Sequence, residues 1–197
     1  MPHAFISVSY KEGILPFAQL LDEKGWHIIA SDGTLRDIQE QKGPRCHSIE
    51  WYTNFPHIFG GRVKGIHPKI VGGMLARAEP KDQDEAWKYH IPYIDLVIVN
   101  FYPFLKTVQS GVSEDVCIEN IDVGGPTYVR AAAKNFNRVT VVVDPNDYPL
   151  VMDEIARNGN TSLETRHWLA SKAFDYTFHY DAAIAHWFDA QLKKAPQ

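Results

Sequence analysis

Leu96-Val97-Ile98-Val99 is an uninterrupted run of apolar, mostly β-branched residues, and it narrows the fold more than any other segment. A short run that is apolar at every position suits a strand covered on both faces, as in a parallel sheet. Phe5-Ile6-Ser7-Val8, His27-Ile28-Ile29-Ala30 and Thr140-Val141-Val142-Val143 read as further strands, the last stopped by Asp144-Pro145. Helical periodicity fills residues 15–24, a stretch ending at Gln41, residues 114–119 and residues 127–135. Strands alternating with helices predict an α/β fold, a mostly parallel sheet with helices on both faces. Ligands of such sheets bind beyond the carboxyl ends of the strands. That rule singles out Ser9–Gly13, Ser31–Thr34 and Asn100–Phe104.

The tail has a different character. Thr161-Ser162-Leu163-Glu164 reads as a capping-box start, and about thirty residues of helical composition follow. Trp168, Leu169, Phe174, Trp187 and Phe188 are expected to pack there rather than to form a binding surface. Residues 193–197 read as a frayed end. With 197 residues and no repeat, low-complexity segment or linker, residues 1–197 are expected to form a single domain.

Composition removes several function classes. Hydrophobic residues make up 45% of the chain, enough for a real core, and the formal charge is -4 with no long basic run. Nucleic acid is therefore not the expected partner, whereas a small anionic ligand needs only a few local cations. No apolar stretch approaches the ~20 residues of a membrane span, and nothing at the start reads as a secretory signal. A cytoplasmic protein is expected. Cys46 and Cys117 lack CxxC spacing and read as buried free thiols. The nine histidines form no HExxH, so no metal is expected.

Several loops carry chemistry-bearing residues. Ser31-Asp32-Gly33-Thr34 joins a strand to a helix, where hydroxyls and free N–H groups suit a phosphate. An ordinary N-cap with a turn glycine explains the same segment. Lys11, after the first strand, is placed to meet the same anion or simply to be solvated. In Gly60-Gly61-Arg62-Val63-Lys64-Gly65-Ile66-His67-Pro68 the glycines allow close approach and the cations supply charge-assisted donors. Its GxxxxG spacing lacks the Lys and Ser/Thr of a P-loop. His67 is readable as a general base, and more simply as a structural histidine. Asn100 and Tyr102 emerge from the buried strand. Asp122-Val123-Gly124-Gly125-Pro126-Thr127 leads glycines and a proline into a helix. On that helix Arg130 and Lys134 by themselves make an ordinary solvated i,i+4 pair.

Taken together, ISVS, SDGT, GGRVKGIHP, NFYPF, ENIDVGGPT, VRAAAKN, TSLETR and KAF with YDAAIAHWF resemble the IMP cyclohydrolase domain of the bifunctional AICAR formyltransferase/IMP cyclohydrolase family, in the family's order. The resemblance implies a methylglyoxal-synthase-like fold and closure of the purine ring of a formamido-imidazole-carboxamide ribonucleotide. It implies no cofactor or metal and suggests a homodimer. Ser9, Lys11, Ser31 and Thr34 would hold the 5'-phosphate, with Gly33 allowing close approach. Arg62, Val63, Lys64 and Gly65 would line the nucleotide, and Asn100 would face the heterocycle. Val123 and Gly124 would surround the reacting groups. Lys64, Tyr102, Asp122 and Lys134 would be catalytic, with Lys64 stabilising the oxyanion, Tyr102 orienting the formyl group and Asp122 with Lys134 moving protons.

Four positions depart from the family pattern. Tyr10 stands in place of Asp, Glu12 of Thr, Asp32 of the first glycine of S-G-G-T, and Gly65 of the threonine of R-V-K-T. Asp32 turned to solvent would be neutral drift. Asp32 turned inward would repel a phosphate and point to an altered substrate. Gly65 removes a hydroxyl that would otherwise donate to the ligand, worth about 1 kcal/mol if nothing replaces it. A non-catalytic nucleotide-binding module and a methylglyoxal-synthase-like lyase are the competing readings. The module would not require Lys64, Tyr102, Asp122 and Lys134 together, and the lyase would need a different carboxylate arrangement and would not predict IDVGG with RAAAKN.

Overall fold

The computed structural model describes residues 1–194. Five parallel strands form one sheet in the order β3-β2-β1-β4-β5: β1 (His3–Val8), β2 (His27–Ala30), β3 (His47–Ser48), β4 (Leu96–Asn100) and β5 (Thr140–Val142). β1 lies at the centre, with Phe5 opposite Ile29 on one side and Val97 on the other. β4 is buried at all five positions, as its unbroken apolar run predicted.

Strand alternation sorts the core into two layers. Ala4, Ile6, Val8, Ile28, Ala30, Leu96, Ile98 and Val142 pack on one face, against α1 (Ile14–Glu23), α2 (Asp32–Glu40) and α9 (Tyr148–Asn158). Phe5, Ile29, Val97, Val99 and Val141 pack on the other, against α8 (Gly124–Lys134) and α10 (Leu163–Lys194). Between β2 and β4 the chain also forms α3 (Ile49–Thr53), α4 (Gly73–Leu75) and α5 (Pro80–Lys88). α6 (Phe104–Gln109) and α7 (Glu114–Glu119) follow β4.

α10 is one helix of 32 residues, about 48 Å long. Its cap differs from the expected one. Ser162, not Thr161, receives the Thr165 N–H (3.1 Å), and the reciprocal carboxylate is Glu154 of α9, which accepts the Ser162 N–H at 2.7 Å. Thr161 instead shares a 2.6 Å hydroxyl bond with Thr140 of β5. The aromatic expectation for α10 holds for Leu169 and Trp187, which are buried, but Trp168, Phe174 and Phe188 are more than 40% exposed. Of the end expected to fray, Lys193 and Lys194 belong to α10, and residues 195–197 lie outside the described residues. Cys46 and Cys117 are free and buried. Among the described residues no helix is long and apolar enough to cross a membrane.

Candidate active site

The carboxyl ends of β1 and β2 open into a cleft of about 480 Å³, a size suited to a nucleotide. Ser31, Asp32 and Gly33 line one wall, Gly60, Gly61, Arg62 and Lys64 overhang it, and Asp122 to Gly125 line the other wall with Tyr128. Of the expected site residues, Ser31, Gly33, Arg62, Lys64, Asp122, Val123 and Gly124 meet here. Ser9, Lys11, Thr34, Val63, Gly65, Asn100, Tyr102 and Lys134 are not on its surface. Ser7, still within β1, takes the lining position expected for Ser9, which lies past the strand in the loop tied to Asn100.

Thr34, Lys11 and Asn100 build the wall from behind. Thr34 is fully buried, and its hydroxyl accepts the Val8 N–H at 3.1 Å and the Lys11 ammonium at 3.1 Å. The Lys11 ammonium also donates to the Val8 carbonyl. Burial lowers the Lys11 pKa, an effect partly opposed by Asp37. Ser31 reaches the same hydroxyl at 3.3 Å, so the start of α2 is tied to the end of β1. Asn100 does not face the cleft. Its Oδ1 accepts the N–H groups of Ser9 and Tyr10, each at 2.8 Å, which fixes the loop after β1. A Cβ at Gly33 would meet nothing within 4 Å, leaving open space for a ligand.

Asp32 is neither free in solvent nor bare toward the cleft. Its carboxylate lies 3.3 Å from Nδ1 of His57, on the segment that leads into the overhang. The overhang itself is a tight turn closed by Ile58 and Val63, whose backbones bond at 3.2 and 3.4 Å. Phe59, Gly60 and Gly61 all have positive φ within it, which two of the three tolerate as glycines. Val63 is thus spent on closing the turn, while Arg62 pairs with Glu119 of α7. Lys64 has no ion-pair partner among the described residues. His67 is structural: its Nδ1 accepts the Lys69 N–H at 3.1 Å, and burial followed by the Lys69 charge lowers its pKa.

The opposite wall is set by α8 and α10. Asp122 Oδ1 accepts the Gly125 N–H at 2.9 Å, folding the carboxylate over the first turn of α8. A Cβ at 125 would lie 2.4 Å from Asp122 Oδ2 and 2.8 Å from a ring carbon of the buried Phe101, so a side chain there would displace the carboxylate or the ring. The Asp122 N–H donates to Tyr180 at 2.8 Å, and the Tyr176 hydroxyl lies 3.2 Å from both N and O of Phe101. The N–H groups of Val123 and Gly124, at the entry to α8, remain available to an anion or oxyanion. Lys134 ends α8, about 15 Å from its start, exposed and without an ion pair among the described residues. Tyr102 is half exposed.

Two lining residues, Glu119 and Tyr128, and the Asp32 partner His57 carry no local signal in the sequence. Glu119 sits in the ENID segment, but its partner Arg62 is 57 positions away. His57 belongs to no motif. Tyr128 reads as one more aromatic on a helix, and it is 5% exposed with its hydroxyl between Gly65 and Gly124.

The chain matches the family described as "MGS-like domain" over residues 13–127, and "AICARFT/IMPCHase bienzyme" over residues 132–197. It is 50% identical over 191 residues to the bifunctional purine biosynthesis protein PurH of Streptococcus suis, covering 96% of this chain and 37% of that protein. PurH of Streptococcus gordonii is 49% identical over the same shares. The chain therefore spans a little over a third of the length of these relatives. The crystal structure of ForH superposes with a TM-score of 0.87 at 36% identity, covering 96% of this chain and 98% of that one. The chain belongs to the MGS-like domain family and carries the adjoining AICARFT/IMPCHase segment as well.

Proposed function

We propose that the chain is an IMP cyclohydrolase, acting as a single domain on a phosphorylated formamido-imidazole-carboxamide ribonucleotide. The observation that carries this reading is the meeting of Lys64, Asp122 and the free N–H groups of Val123 and Gly124 in one nucleotide-sized cleft. Half-identity to PurH over nearly the whole chain supports it.

In this reaction the carboxamide nitrogen attacks the formyl carbon of the same molecule. Fixing the rotamer that brings the two together is the first contribution of the cleft. An oxyanion develops on the formyl oxygen, and Lys64 with the α8 N–H groups is arranged to stabilise it. The carboxamide nitrogen loses one proton as it attacks, the formamido nitrogen loses a second as the ring C=N bond forms, and the formyl oxygen takes up both and departs as water as its C–O bond breaks. Asp122 Oδ1 is held by Gly125, so Oδ2 is the atom for the proton transfer. Ser31 and Gly33 hold the phosphate directly, and Lys11 and Thr34 act through Ser31.

Tyr102 and Lys134 lie outside the cleft of their own chain. Their roles call for closure of the loops or a second copy of the chain, and the proposed homodimer therefore bears on the chemistry. The exposed Phe174, Phe178 and Phe188 of α10 supply apolar surface for such a dimer. We place the protein in the cytoplasm, in keeping with its likeness to a purine biosynthesis protein. The test is ultraviolet detection of IMP formation from formyl-AICAR with no metal or folate added. Folded protein that forms no IMP overturns the reading.

A further inference from the structure

We propose that the Tyr128 hydroxyl is a ligand-contacting group of the cleft, and that Gly65 and Tyr128 form one specificity unit in which the glycine makes room for that hydroxyl. A Cβ at Gly65 would lie 2.4 Å from Tyr128 Oη, far inside contact distance, and 3.2 and 3.3 Å from two carbons of Ile49. The hydroxyl thus fills the volume that a side chain at 65 would claim. It is also the atom nearest to a Cβ built on Gly124, at 3.4 Å, so it sits between the overhang and the start of α8.

The ring is immobilised by packing. Tyr128 is 5% exposed and meets Phe5 edge to face at 4.7 Å between centroids. Both Tyr128 and Ile49 line the cleft, beside Ser7, Lys64 and Asp122. Burial, reinforced by the Asp122 charge, raises the phenol pKa. The group therefore stays protonated and offers a donor to an oxygen acceptor on the ligand. A side-chain hydroxyl missing at 65 is in this way supplied from a helix more than sixty positions along the chain.

The proposal rests on the cyclohydrolase reading for its choice of probes, IMP and inosine, measured by calorimetry. Tyr128→Phe is expected to weaken IMP binding about five- to tenfold, the worth of one hydrogen bond, with the melting temperature kept. Loss with IMP alone places the acceptor on the phosphate, and loss with both probes places it on the nucleoside. Gly65→Ser is expected to lower the melting temperature in the wild-type background and to be tolerated beside Tyr128→Phe. In that double variant the serine hydroxyl is expected to restore IMP affinity to within about threefold of wild type. IMP binding unchanged in Tyr128→Phe overturns the contact. Gly65→Ser costing the same in both backgrounds overturns the shared volume. Wild-type protein that binds no IMP overturns both the contact and the cyclohydrolase reading, whereas tight IMP binding indifferent to Tyr128 overturns the contact alone.

Discussion

The two sides of the cleft mouth are built by different means. The α2 wall is held by the buried Thr34 hydroxyl, which joins β1 and Lys11 across more than twenty positions and Ser31 within its own turn. The overhang is a turn of positive-φ residues pinned at its rim by Arg62–Glu119 and Asp32–His57, all four side chains touching solvent. Buried hydrogen bonds resist rearrangement because breaking them strands a polar group, whereas solvent-exposed charged and polar pairs are screened and exchange easily with a ligand. One wall is a preformed seat, and the other is able to trade its internal partners for substrate.

The sharpest break of this contrast is at the overhang's lysine, Lys64. Lys64→Ala is expected to lower kcat by about a hundred- to thousandfold, the scale of losing an oxyanion donor, with little change in melting temperature. Steady-state rates with formyl-AICAR check it, and near-normal turnover would remove Lys64 from the chemistry. Thr34→Val comes next and strikes the other wall. It leaves the buried Val8 N–H without its acceptor and is expected to cost about 2 kcal/mol of stability in chemical denaturation. A loss well under half of that would show the wall is less rigid than its bonding implies.

Smaller effects belong to the rim. Glu119→Gln frees Arg62 for the ligand and is expected to lower KM about two- to threefold, the effect shrinking as salt rises. A raised KM would mean that Glu119 orients Arg62 instead of competing for it. His57→Ala releases the Asp32 carboxylate and is expected to raise KM for the phosphorylated substrate about two- to threefold. Adding Asp32→Gly should cancel that change. If the double variant remains impaired, Asp32 is not the source of the repulsion.

Much of the fold was legible because doubly covered strands announce themselves. β2 coincides with its predicted span, and β4 runs one residue past its apolar run, ending on Asn100. α7 was readable to the residue from Glu114 to Glu119. β3 was not, since two residues carry no periodicity and take their strand character from pairing with β2. In the site, glycines and motif residues located the walls, but the division of labour was hidden. Asn100 and Thr34 have the chemistry of ligand contacts and spend it on backbone, a choice made by which N–H groups the fold leaves without partners. Asp32–His57, Arg62–Glu119 and Tyr128–Gly65 depend on distant positions meeting, which no local pattern encodes.

The two tyrosines of α10 have a consequence for how the chain tolerates damage. Tyr176 and Tyr180 sit one turn apart and fasten, respectively, the exit of β4 and the approach to α8. None of the cleft's lining belongs to α10, yet this helix works as a splint across both loops. Proteolytic removal of the segment from Tyr176 onward would leave every lining residue in the sequence and take away the register that aims them.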